Sequence, residues 1–292
     1  MRTELEYDCD TLSPEGLATL LRLLATGTRK RVSSKRIDGH TVWIKRYDVE
    51  GETLPKRLHH LLSPLLPHHF RASERVDSAG FIDREIRKMK AFREAGFPVA
   101  EVMFRNDRVL VLSDAAEIAQ NALNRLRDSD PIAHDNLLVG AAAALGRLHR
   151  AGLCHGRPHP RDMFVRDGRW GFIDFEEEPE TAMPLASAQA RDVWLLFLQI
   201  SSSALLPATE KRALAAYRAA APAGIFRPLR SIVGFFAPLV PPLRLLEKLT
   251  LGSDGRRLLK ATAFLNTALA SIGSVGGRAT SSPAIGRDRP KG

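Results

Sequence analysis

The chain has 292 residues, 44% of them hydrophobic, enough to bury the core of one two-part domain or two small ones. Its formal net charge of +10 points to anionic partners such as nucleotides and phospholipids, although an arginine-rich soluble surface gives the same sum. Two cysteines, Cys9 and Cys154, exclude a disulfide framework and a zinc-binding spacing. No apolar signal core opens the chain, and the best apolar run, 232–243, is interrupted by Pro238, Pro241 and Pro242, so a reduced, cytoplasmic protein is expected.

Ser13-Pro14-Glu15 reads as the start of a helix, with Leu17, Leu20, Leu21 and Leu24 at helical spacing and an end near Gly27. Residues 29–37 are basic and weakly alternating, Asp38-Gly39 is a hairpin turn, and 41–45 is a strand that ends in Lys45. Taken alone, Lys45 is an ordinary strand-end surface lysine. Residues 50–79 form a long insertion, made basic by Lys56, Arg57, Arg71 and Arg75. Its His59-His60 and His68-His69 pairs lack nearby cysteine and the i, i+4 spacing of a metal site.

A strong helix follows over 81–95, where Ile82, Ile86, Met89 and Phe92 mark one face and Gly96 stops it. It carries Glu85, whose plain reading is a solvent-facing partner for Lys88, and Glu94 near its far end. Strands at 102–104 and 108–112 turn through Asn106-Asp107 and lead to Ser113-Asp114. Residues 137–151 are apolar almost all round, as in a core helix, and Gly152 ends it.

The most informative stretch is 155–178, His-Gly-Arg-Pro-His-Pro-Arg-Asp-Met-Phe-Val-Arg-Asp-Gly-Arg-Trp-Gly-Phe-Ile-Asp-Phe-Glu-Glu-Glu. Asp167-Gly168 is a two-residue hairpin signal between strands at 163–166 and 169–173. Antiparallel pairing then brings Asp162, just before the first strand, to Asp174, just after the second, within reach of one shared cation. Glu176, Glu177, Glu178 and Glu180 form an acidic run that reads as facing water. Asp192 opens an apolar helix over 193–200, and another helix covers 207–218. Residues 225–248 mix Arg227, Arg230, Arg244 and Lys248 with Phe226, Phe235, Phe236 and leucines; they suit packing on the helical body or contact with an anionic membrane surface. A last helix is expected over 256–272, and 273–292 reads as a disordered tail.

The 155–178 stretch resembles a kinase catalytic segment, H-x-D-x-x-x-x-N, hairpin, D-F-G. The wording His-Gly-x-x-His-Pro-x-Asp and Ile-Asp-Phe-Glu looks most like the lipopolysaccharide kinases, the Kdo and heptose kinases, and their RIO-like relatives. In that resemblance His155 matches the His, Asp162 falls on the Asn, and Asp174-Phe175-Glu176 falls on D-F-G. Arg157 stands where the family has its catalytic Asp. The resemblance covers roughly 29–194, and Rossmann and α/β-hydrolase alternatives fail for lack of their glycine motifs.

What the resemblance implies is an α+β, bilobal, protein-kinase-like fold: residues 1–112 a small β-rich nucleotide-binding lobe, 113–272 a mostly helical lobe, 273–292 a tail. Lys45 is then the strand lysine on the ATP phosphates, Glu85 its helix partner, Ser113 the hinge for adenine, and Asp162 and Asp174 the Mg²⁺ ligands. Asp192 ties down the backbone of the catalytic loop. The implied activity is ATP-dependent phosphoryl transfer to a sugar or lipid-sugar hydroxyl or to protein Ser, with Arg157 holding an anionic acceptor or else blocking the metal. The alternatives are a pseudokinase that binds nucleotide or a partner, and a membrane-surface or nucleic-acid module that kept only the fold. Nucleic acid is not the expected partner; a peripheral contact with the inner face of the inner membrane is.

Overall fold

A computed structural model describes residues 12–26, 30–48, 76–247 and 252–276. Strands β1 (Val32–Ile37) and β2 (His40–Arg46) pair antiparallel through Asp38 and Gly39, which take φ of 50° and 78°. Two successive left-handed residues give the turn whose twist matches that of the strands. With β3 (Val102–Arg105) and β4 (Val109–Ser113) they form one antiparallel sheet in the order β1-β2-β4-β3.

The two faces of this sheet have different partners. Ile37, Val42, Ile44, Val109 and Val111 pack with Leu20 of α1 (Pro14–Thr26). Leu110 and Leu112 belong instead to the core that contains Ile82, Met89 and Phe92 of α2 (Ser78–Glu94). Strand side chains alternate faces, so Lys45, next to inward Ile44 and paired with Leu110, stands on the α2 side. The α2 helix starts three residues before the expected 81 because the Asp77 carboxylate accepts a hydrogen bond from Gly80 N at 2.9 Å, an N-cap.

The rest is helical apart from one hairpin, β5 (Met163–Arg166) and β6 (Arg169–Phe172). Its helices are α3 (Ala119–Ser129), α4 (Pro131–Arg150), α5 (Leu185–Ser203), α6 (Thr209–Ala220), α7 (Phe226–Phe236), α8 (Val240–Glu247) and α9 (Ser253–Gly276). The α3 helix was not expected from the sequence: only Ala119 and Leu123 are buried, too few apolar positions to set a period. One core runs from Phe92 of α2 through Phe172 and Phe175 to Leu145, Phe197, Ile232 and Leu265 in the helices, so sheet and helical body share it. The described residues are thus a mixed α+β structure, a small antiparallel sheet followed by helices. The insertion's His59, His60, His68 and His69 lie outside the described residues, as does Cys9. Helix α9 continues to Gly276, past the expected tail start at 273, and residues 277–292 lie outside the described residues.

Candidate functional site

Strand alternation aims Lys45 at α2, and there its Nζ donates to Glu85 Oε1 at 2.7 Å and to Asp174 Oδ1 at 3.0 Å. Glu85 is fully buried and is no surface partner of Lys88; its second oxygen accepts from the Tyr47 hydroxyl. Burial alone would pull the Lys45 pKa down, but Glu85 and then Asp174 outweigh it and hold the ammonium charged. Burial and Glu85 push Tyr47 far above the usual phenol range, so it remains a donor.

The hairpin delivers the carboxylates. Asp167 and Gly168 take φ of 52° and 70°, Met163 pairs with Phe172, and Ile173 N donates to Asp162 O at 2.9 Å. Asp174 itself has a φ of 69°, a left-handed conformation that Asp and Asn tolerate better than most residues. Burial works against its ionisation, yet the Lys45 ammonium, with Arg157 behind it, holds its carboxyl below the usual range. Asp162 has the opposite environment. It is 5% exposed, its Oδ2 has no hydrogen-bond partner, and Oδ1 lies 3.7 Å from Arg161 Nε. Burial first, and the Asp174 charge second, push its pKa up to about 7.

The loop that leads into the hairpin is fixed through its backbone. Asp192 in α5 accepts from His155 N at 2.6 Å and Gly156 N at 2.9 Å, the tie expected from the sequence. Gly156 has a φ of 104°, and a Cβ there would come within 2.7 Å of Glu177 O, so glycine is required twice over. The His155 ring is buried, and its Nε2 lies 3.0 Å from Ile173 O. Burial lowers its pKa, so the ring stays neutral. It packs on Phe175, which packs in turn on Phe92 of α2 with ring centroids 4.6 Å apart.

The acidic run does not face water as the sequence suggested; long-range basic partners meet it. Glu176 pairs with Arg31, Glu177 with Arg191 at 2.7 Å, Glu178 with Arg87 at 2.8 Å and Glu180 with Lys88 at 3.2 Å. Lys88 also donates to the carbonyls of His155 at 3.1 Å and Glu177 at 2.8 Å, and Arg84 to that of Glu176 at 3.1 Å. Three basic residues of α2 therefore clamp the segment after Asp174, which holds Glu85 against Lys45. Sequence reasoning missed Arg31, Tyr47, Arg84, Arg87 and Lys88. The one available signal was Arg84, Arg87 and Lys88 at i, i+3, i+4 on a helix followed by four glutamates downstream.

Arg157 is 44% exposed, and its guanidinium lies 4.0 Å from Asp174 Oδ2 and 4.0 Å from Glu177 Oε1. It makes no ion pair with Asp162 within 4.0 Å and does not bridge the two aspartates. Ser113 is engaged elsewhere: its N–H donates to Glu101 O and its Oγ accepts from Glu101 N, both at 2.9 Å. Neither group is free for adenine. The structure thus brings together Lys45, Glu85, Asp162, Asp174 and Arg157, and leaves Ser113 in a strand contact. Comparison with protein-family models and with curated protein sequences gave no match.

Asp162 and Asp174 are the residues present that would hold a magnesium ion, as a pair of carboxylates. Among the described residues no three His, Cys, Asp or Glu side chains converge as a metal group. Mg²⁺ is commonly held by one or two carboxylates with the remaining places taken by phosphate and water. A buried carboxylate with an orphaned oxygen beside a second carboxylate provides that pair.

Proposed function

We propose that the chain is an ATP- and Mg²⁺-dependent phosphotransferase with a bilobal, kinase-like fold, most similar in design to the lipopolysaccharide kinases. The observation that carries the reading is Lys45 held between Glu85 and Asp174, with the unsatisfied carboxylate of Asp162 across the hairpin. The order of parts also supports it: strand lysine, helix glutamate, anchored loop, hairpin, aspartate, and Asp192 under the loop.

When bound, Mg²⁺·ATP supplies the phosphoryl group and the charge that offsets its oxygens. The chain supplies position. Lys45 presents an ammonium to phosphate oxygens while Glu85 and Tyr47 fix its direction. Asp174, kept ionised by Lys45, and Asp162, once it gives up its proton, would hold the cation. Arg157 takes the place of the usual acceptor-orienting carboxylate. Arginine accepts no hydrogen bond and keeps its proton, so no side-chain base stands there. A loose transition state depends mainly on position and charge neutralisation, and general acid–base help is worth about 10²–10⁴-fold. Half-exposed and bonded to neither aspartate at close range, Arg157 is arranged to hold an anionic group of the acceptor by a forked contact.

A second reading, a pseudokinase whose Arg157 guards the metal place, is favoured by one observation, the 4.0 Å approach to Asp174. Transfer of labelled phosphate from ATP to a panel of anionic sugar-lipids, sugar phosphates and protein acceptors tests the choice. Mg²⁺-dependent transfer that Asp174→Asn abolishes supports the phosphotransferase; nucleotide binding without turnover on any of them supports the pseudokinase.

A further inference from the structure

Helices α7 and α8 leave a face that nothing in the catalytic reading uses. On α7, Leu229, Ile232 and Val233 are buried, and Phe236 stacks on Trp194 with centroids 4.8 Å apart and planes 3° apart. The other side carries exposed Arg227 and Arg230, and α8 carries exposed Arg244. Three large apolar side chains stand out between them: Phe235 is 50% exposed, Leu239 44% and Leu245 74%. Among the described residues, eight large hydrophobic side chains are exposed, and these three fall within eleven positions. Between Glu210 and Glu247 the sequence has no acidic residue and six basic ones.

We infer that the α7–α8 face docks on an anionic lipid surface, lying in the interface with its leucines and Phe235 among the acyl chains and its arginines on the headgroups. Exposed apolar side chains flanked by arginine are what an interfacial segment presents. A second copy is a poor occupant, because a symmetric pairing sets Arg227, Arg230 and Arg244 against their own kind with no acid between. Nucleic acid would use the arginines but not the aliphatic side chains. The stretch Ala223–Pro242 is long and apolar enough to cross a membrane, and only 22% of its apolar 18-residue window is buried. It lies on the surface instead of crossing: its inner face belongs to the protein core, and the helix tightens to a 3-10 turn of helix at Ala237–Leu239. This inference does not depend on the phosphotransferase reading.

Flotation with vesicles of phosphatidylcholine alone, or with about a third phosphatidylglycerol, tests it on the full chain. The intact protein should float with the anionic vesicles and much less with the neutral ones. Reversing Arg227, Arg230 and Arg244 to Glu should lower the anionic partition by about tenfold or more. Serine at Phe235, Leu239 and Leu245 should lower it several-fold at high salt, where the charges are screened. All six positions are exposed, and unchanged unfolding midpoints check that the variants fold. The inference is overturned if anionic vesicles do not bind, or if both variants bind like the intact chain, which would move the contact to another basic segment. It is equally overturned if the serine variant abolishes self-association and leaves vesicle binding intact.

Discussion

Asp162 is a buried carboxylate whose proton the fold retains up to about pH 7. Because its folded pKa lies above the unfolded value near 3.9, its contribution to stability is fully present below that value and is lost as pH rises through about 7. Metal-free protein should therefore lose about 2–4 kcal/mol from this residue between pH 4 and 8. Asp162→Asn should remove that slope, as measured by urea unfolding at several pH values; an unchanged slope would show that Asp162 is not the group concerned. Cation binding requires the ionised form, so Mg²⁺·ATP affinity should rise with pH up to about 7 and then level. Arg157 gives a second residue-scale outcome. Arg157→Asp should weaken acceptor binding and lower turnover with Mg²⁺·ATP affinity little changed; a gain in affinity and hydrolysis would mean that the arginine guards the metal. That Asp162 lies beside Asp174 was legible in the sequence, since a two-residue hairpin brings its flanks together whatever the fold, whereas Arg157 came into view only through the resemblance, at the position of the family's catalytic Asp. The proton on Asp162 was not, because it depends on burial and on its distance from Asp174.

At the scale of elements, the helix α2 joins the sheet to the segment after Asp174. Its apolar stripe was readable, and so was Glu85 as the partner of Lys45 once the downstream segment supplied a context. The clamp was not readable. Lys88 reaches carbonyls 67 and 89 residues away, and no local pattern encodes such a pairing. The acidic run illustrates the same limit: four glutamates in five positions look solvated until the fold sets Arg31, Arg87, Lys88 and Arg191 against them. Lys88→Met should leave the His155 and Glu177 carbonyls without this donor and Glu180 without its cation, and destabilise the protein by about 2–4 kcal/mol. Denaturant unfolding measures this, and a cost below about 0.5 kcal/mol, as for an exposed lysine, would contradict the clamp.

At the scale of the molecule, alternation along β2 and β4 divides the sheet between two helices and sends Lys45 to the face where the shared core brings up the hairpin. The sheet and the helical body were both legible as an α+β pattern; the position of α1 on the opposite face was not. The positive charge is also distributed with a direction. Helix α9 packs on α7 and α8, and its Arg257 bears on His159 in the loop beside Asp162, whose pKa burial, Arg161, Arg257 and Arg157 lower to about 4. One helix thus connects the face proposed to dock on lipid with the loop beside Asp162, an arrangement that would suit an anionic acceptor carried by lipid.

The central claim is that Lys45, Asp162 and Asp174 form one site for Mg²⁺ and nucleotide phosphate, and calorimetric titration of ATP with and without Mg²⁺ tests it most directly. Asp174→Asn is the apt variant, because asparagine tolerates the φ of 69° and removes only the charge. The intact chain should bind ATP in a Mg²⁺-dependent manner, and the variant should lose about tenfold or more of that affinity together with its metal dependence. No binding by the intact chain, or equal binding by both with the same response to Mg²⁺, would contradict the account.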